Sequence, residues 1–227
     1  MSRDDRERLV QIDADGVTLE GALAIPPGAE GVVLFAHGSG SSRHSPRNNF
    51  VAGVLRAAGL GTLLFDLLTE KEDEVYETRF DIDLLTRRLI AATRWFMKQP
   101  RSRGLAVGYF GSSTGAASAL RAAAALGGEI GAIVSRGGRP DLAGGALPRV
   151  QSPTLLIVGG DDLTVIDLNR RAYDQMKGER ELKIIPGATH LFEEPGALEE
   201  VARLAADWFK RYLHTEMKHA QADKAHK

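Results

Sequence analysis

The chain has 227 residues, 43% of them hydrophobic and 26% charged, and its 29 Lys and Arg against 30 Asp and Glu leave a formal net charge of −1. Such proportions suit one ordinary globular domain, and the charge balance supplies no long-range field to draw nucleic acid or an acidic membrane surface. The absence of cysteine excludes disulfides, thiolate metal ligands and a cysteine nucleophile.

The opening MSRDDRERLV is charged and lacks the apolar core of a signal peptide. No apolar run approaches the ~20 residues of a membrane span. A cytoplasmic protein with no nucleic-acid or membrane partner is therefore expected. RLVQID and VTLEGALAI flank Asp15-Gly16, a hairpin turn signal. GVVLFA is a short apolar run suited to a buried central strand. HGSGSSRHSPRNNF follows as a long loop ending in Ser45-Pro46, an N-cap and a first helical position. The next helix is expected to bury Phe50, Val54 and Ala58.

GLGTLLF reads as the following strand and DLLTEKEDEVYETRF as an acidic, solvated loop. Asp81 is placed to cap a helix with an apolar face of Ile82, Leu85, Leu89, Ala92 and Phe96. LAVGYF is a strand, and the helix from Ala116 to Leu126 stops at Gly127-Gly128. EIGAIVSR is a strand and GGRPDLAGGALPRV a loop with at most one helical turn. TLLIVGG is a strand, 165–176 a helix and ELKIIPG the last strand. Pro195 opens a terminal helix that buries Leu198, Val201, Leu204, Trp208 and Tyr212. Alternating strands and helices predict an α/β fold, a mostly parallel central sheet flanked by helices, as one domain over 1–213. A polar, frayed tail is expected over 214–227. The short segment between IVSR and TLLIVGG leaves no room for a large cap domain, so the site is expected to be open, with the acidic loop as one wall.

Gly111-Ser112-Ser113-Thr114-Gly115 matches G-x-S-x-G between an apolar run and a helix, the setting of a nucleophile elbow. The pattern selects Ser113 over Ser112. It predicts a positive φ at Ser113, with the flanking glycines removing Cβ atoms that would collide at the bend. A serine nucleophile needs a base. His190, between a strand and a helix in IIPGATHLFEEP, is the candidate; His214, His219 and His226 lie at the end of the chain. The orienting acid is sought beyond TLLIVGG. Asp162 is preferred over Asp161 because Gly159-x-x-Asp162-x-x-Val165 sets it one step past the turn; Asp141 is a weaker rival.

Acyl transfer builds charge on a carbonyl oxygen, so two N–H donors are expected to face it. The candidates are the backbone N–H groups of Thr114 and of Ser39 in His37-Gly38-Ser39-Gly40. His37 is expected to order that loop by hydrogen bonding. Arg136 and Arg43, with Arg47 and Arg139 near them, are placed at the strand ends, where an Arg holds either a substrate carboxylate or an ion pair that orders a loop. The histidines show no metal-ligand spacing, and no dinucleotide or P-loop pattern occurs, so no cofactor is expected.

The strand-HGSG loop, GSSTG, GGDDLTV and PGATHLF occur in an order that resembles the α/β-hydrolases of the dienelactone hydrolase type, over roughly residues 17 to 213. The resemblance implies an α/β-hydrolase fold with its site at the C-terminal ends of the strands. Dienelactone hydrolases proper use a cysteine nucleophile, so this chain looks like a serine variant acting on a small acyl substrate: an ester, lactone or thioester. The alternatives are a binding protein on the same scaffold and a small-peptide or amide hydrolase. AHGSGSSRHSPRN and VSRGGRPDLAG are also similar to a bacterial subgroup of hydrolase-like domains attached to phosphoribosyltransferases. No acidic phosphoribosyl-pyrophosphate loop accompanies them, so transferase activity is not expected.

Overall fold

A computed structural model describes residues 7–214, so the first six residues and all but His214 of the expected polar tail lie outside the described residues. Eight strands build one sheet: β1 (Arg8–Ala14), β2 (Val17–Ala24), β3 (Gly31–Ala36), β4 (Gly61–Phe65), β5 (Ala106–Ser112), β6 (Ile130–Arg136), β7 (Thr154–Gly159) and β8 (Arg180–Ile185). Their order is β1-β2-β4-β3-β5-β6-β7-β8. β1 runs antiparallel to β2, and β2 antiparallel to β4; every other pairing is parallel. The first hairpin turns at Asp15 and Gly16, with φ of 52° and 81°. Positive φ at both positions matches the right-handed twist of the flanking strands.

The helices are α1 (Pro46–Ala57), α2 (Glu70–Asp73), α3 (Ile82–Lys98), α4 (Thr114–Leu126), α5 (Leu163–Gln175) and α6 (Ala197–Tyr212). α1 and α6 cover one face of the sheet; α3, α4 and α5 cover the other. β3 serves both layers, because successive side chains leave a strand on opposite sides. Val32, Leu34 and Ala36 enter the core under α3 and α4, while Val33 and Phe35 enter the core under α1 and α6. A continuous apolar run in the sequence is thus the mark of a strand buried twice over. Among the described residues no helix is long and apolar enough to cross a membrane.

Three expectations need correction. α1 is capped by Ser45 as expected, its hydroxyl accepting from the Asn48 N–H, but the buried residues are Asn48, Val51, Ala52 and Leu55. Phe50 is exposed, and Val54 and Ala58 lie at the rim of the core. The buried face keeps the helical period but lies one residue later than Phe50 and Val54. The acidic segment is no plain loop either: Leu67 and Leu68 are buried, Thr69 forms a capping box with Glu72 at the start of α2, and 76–80 forms a 3₁₀ turn. The stretch Pro140–Arg149 is 3₁₀-helical, broken at Gly144, rather than a loop with one turn. It bridges β6 and β7 without an inserted domain.

Candidate active site

β5 ends in the expected elbow. Ser113 has φ 50° and ψ −122°, and α4 begins at the next residue. A side-chain-bearing residue in such a conformation costs roughly 1–3 kcal/mol. Its neighbours hold it there. The Ser113 N–H donates to the Arg136 carbonyl at 3.3 Å, and the Ser113 carbonyl accepts from the Arg139 and Ala116 N–H groups at 3.0 and 3.1 Å. The two glycines do different work. A Cβ on Gly111 would lie 2.5 Å from the Ala116 Cα, across the bend; one on Gly115 would lie 2.1 Å from the Ala36 carbonyl oxygen. Gly115 therefore lets α4 pack against the end of β3 rather than relieving the bend itself.

His190 follows β8, and its Nδ1 lies 2.7 Å from Asp162 Oδ2 at the start of α5. The rival acids are placed elsewhere: Asp161 is exposed, and Asp141 binds Arg139 through two hydrogen bonds. Gly159 makes the approach of the two loops possible. It has no positive φ; its hypothetical Cβ would sit 2.4 Å from the Ala188 carbonyl oxygen and 2.6 Å from that of Thr189. Its role is close contact, not the sharp turn expected of it. Gly137 lies next to both the His190 loop and the elbow. The residue before it accepts from the Ser113 N–H, and a Cβ on Gly137 would lie 3.5 Å from His190 Cε1.

The loop after β3 lies against Ser113: a Cβ on Gly38 would be 3.7 Å from Ser113 Oγ. His37 orders this loop. Its Nε2 accepts from the Leu67 N–H at 3.0 Å, which leaves Nδ1 to donate to the Gly38 carbonyl at 3.0 Å. Burial lowers its pKa from 6.5, outweighing the Gly38 bond and the nearby Asp66 and Asp73. The Ser39 N–H, an expected oxyanion donor, donates instead to Thr114 Oγ1 at 2.9 Å.

The arginines separate. Arg43 is paired with both Asp66 and Glu20, so its charge is already matched at the loop after β3. Arg47 pairs with Glu193 and Arg139 with Asp141. Arg136 is 8% exposed, its Nε buried with no hydrogen-bond partner. Burial, reinforced by the like charge of Arg47, lowers its pKa to about 10. Its guanidinium lies over Phe192, two residues beyond His190. Phe192 is fully buried with φ 57°, a role that no local signal in the sequence announced. Cavities lie at the two ends of the parallel strands. One of about 720 Å³ opens beside His37, walled in part by Asp66, Leu68, Thr69 and Asp73 of the acidic segment. Another of about 590 Å³ lies at the opposite strand ends, lined by Met97, Leu105, Leu126 and Tyr212 among others. It is remote from the chemistry of Ser113.

No protein-family model matches the chain. A solved structure of dienelactone hydrolase from Anabaena variabilis is 56% identical and superposes with a TM-score of 0.91, over 93% of this chain and 100% of that one. The chain belongs to the dienelactone hydrolase family. As a member of that family it has an α/β-hydrolase fold, with Ser113, Asp162 and His190 at the C-terminal ends of β5, β7 and β8. Two Mycobacterium tuberculosis proteins, from strains CDC 1551 / Oshkosh and ATCC 25618 / H37Rv and each named "Putative phosphoribosyl transferase", are 56% identical over 208 residues, 92% of this chain. This dienelactone hydrolase relative spans about half the length of those proteins, the match covering 47% of each. Est1E from Butyrivibrio proteoclasticus, at 18% identity and a TM-score of 0.76 over 89% of this chain and 98% of that one, shares the fold.

Proposed function

We propose that the protein is a serine hydrolase that cleaves a small ester, lactone or thioester through an acyl-enzyme on Ser113. The observation that carries this reading is the strained Ser113 backbone at the same C-terminal end of the strands as a hydrogen-bonded His190–Asp162 pair. With Nδ1 committed to Asp162, Nε2 is the His190 nitrogen left to serve as base. Ser113 Oγ bonds to the acyl carbon, its proton passes to Nε2, and the carbonyl π pair moves onto oxygen. Collapse of that adduct re-forms the carbonyl and breaks the bond to the leaving group, which takes the proton from His190. Water then repeats the cycle on the acyl-enzyme and releases the acid. The Thr114 N–H, at the first turn of α4 where helical N–H groups lack intrahelical partners, is one donor to the oxyanion.

We assign Arg136 to a carboxylate on the substrate, because Arg43, Arg47 and Arg139 are each paired with an acid and Arg136 has no acidic partner among the described residues. A cytoplasmic setting fits the chemistry and needs no cofactor or macromolecular partner. The test is a fluorophosphonate probe together with a panel of p-nitrophenyl esters of increasing acyl length. Labelling at Ser113, abolished in Ser113→Ala, with turnover of short esters is expected. Well-folded protein that neither labels nor turns over would make it a binding scaffold; faster cleavage of p-nitroanilides than of esters would make it an amide hydrolase.

A further inference from the structure

We infer that Asn169 is a positioning residue of the active site: its carboxamide, inside α5, holds the turn 136–139 against which Ser113 and His190 are both set. The inference rests on the hydrolase reading above. Asn169 is fully buried. Its Oδ1 has no partner among the described residues, a cost that an apolar side chain would avoid, so the amide is a poor choice for packing alone. The nitrogen is fully used. Nδ2 donates to the Val165 carbonyl, one turn back in the same helix, at 2.8 Å, and to the Gly138 carbonyl at 3.0 Å. Both partners are acceptors, which fixes the nitrogen on that side of the amide. The first bond stays within α5; the second leaves it for the turn that follows β6.

That turn is where the parts of the site come together. The Arg136 carbonyl accepts from the Ser113 N–H at 3.3 Å, and the Arg139 N–H donates to the Ser113 carbonyl at 3.0 Å. The peptide groups on either side of Ser113 are thus held from one four-residue stretch. Between its ends lie Gly137, with φ 51°, and Gly138. A Cβ on Gly137 would meet the His190 carbonyl oxygen at 3.1 Å, Phe192 Cε2 at 3.3 Å and His190 Cε1 at 3.5 Å. One on Gly138 would collide with Ser135 Oγ and Ala116 Cβ. Close packing thus demands two glycines in a row, the pair with the greatest backbone freedom to lose. Their polar groups are what tie them down. The Gly137 N–H donates to the Ile157 carbonyl of β7 at 2.8 Å, and the Gly138 carbonyl accepts from Asn169.

The same helix carries the acid. Asp162 caps α5, and Asn169 lies about two turns further along it. One element therefore presents the carboxylate bonded to His190 Nδ1 and the amide that sets the turn between Ser113 and the His190 loop. Without the Gly138 bond the glycine pair can relax, and Ser113 and His190 lose their common support while Asp162 keeps its place.

The experiment compares Asn169→Ser and Asn169→Thr with wild type on p-nitrophenyl acetate. A hydroxyl carries one proton; donated to the carbonyl four residues back, it preserves the bond inside α5 and leaves nothing for Gly138. Both variants are expected to lower kcat about 10- to 100-fold with KM near wild type, the scale of loss when a reacting group is misplaced by about 1 Å. The rate of Ser113 labelling by a fluorophosphonate should fall in the same proportion. Both rates are read well below each variant's melting temperature, on protein shown to be folded by circular dichroism. A variant that melts earlier than wild type yet keeps its kcat and its labelling rate overturns the inference and makes Asn169 a strut of the core. So does a rise in KM at unchanged kcat, and so does the failure of both variants to fold. An active wild type with unaffected variants sinks this inference alone, whereas a wild type that neither turns over esters nor labels at Ser113 sinks the hydrolase reading and this inference with it.

Discussion

The Arg136 guanidinium lies over the Phe192 ring, 5.9 Å from its centroid, at the end of the strand next to the one that leads into Ser113. The contact ties β6 to the His190 loop through a residue in a left-handed conformation. Among the described residues no carboxylate pairs with this buried cation, whose Nε has no hydrogen-bond partner, an arrangement that is costly unless an anion completes it.

Arg136→Met is accordingly expected to raise KM for carboxylate-bearing esters by about 10- to 100-fold, the loss of a charge-assisted bond of ~1.5–3 kcal/mol, and to leave neutral esters near wild type. The preference of the wild type for anionic esters should fade as the pH rises toward 10, where Arg136 begins to lose its proton. Equal losses on charged and neutral substrates would restrict Arg136 to supporting Phe192.

Asp162→Asn is expected to lower kcat by about 10⁴-fold, because an amide stabilises the wrong tautomer of the imidazole and no imidazolium. Asp161→Asn, one residue away but outside the His190 bond, should remain near wild type. A reversal of these two results would transfer the orienting role to Asp161.

Gly159→Ala puts a methyl group where the Ala188 and Thr189 carbonyls now lie, 2.4 and 2.6 Å from the new atom. The His190 loop must retreat, and a displacement of about 1 Å costs kcat about 10²-fold. Steady-state kinetics should show kcat falling while KM changes little; a variant with both constants intact would mean that the loop yields without moving the imidazole.

His37 gives the fold an acid limit. Burial holds its folded pKa below the 6.5 of the unfolded chain, so the unfolded state binds the proton first. The associated stability is complete above pH 6.5 and is lost as the pH falls from there through the lowered folded value. Protonation would place a hydrogen on Nε2 and break its bond from the Leu67 N–H. Melting temperatures from pH 8 to pH 5 should fall more steeply for wild type than for His37→Gln, whatever the offset at pH 8. Parallel curves would show that other groups set the acid limit.

The elbow was legible because it is local: a positive φ at Ser113 and two crowded glycines must be written within five residues. That His190 bonds to Asp162 and not to Asp161 accords with the three-residue step between Gly159 and the acid. The phase of α1 was not legible, since Phe50 and Val54 share the helical period with the truly buried Val51 and Leu55. The direction of the Ser39 N–H was also hidden, because it depends on one rotamer at Thr114. Phe192 carries no turn residue to betray its left-handed backbone, which is imposed by packing under His190.

His190 follows β8, and β8 is joined to the sheet through β7 alone. Ser113 follows β5, which is clasped between β3 and β6. An outermost strand frays at a smaller free energy than an interior one. Warming should therefore detach the imidazole from its partners while the serine's surroundings are still intact, and enzymatic inactivation should come before the collapse of the protein as a whole.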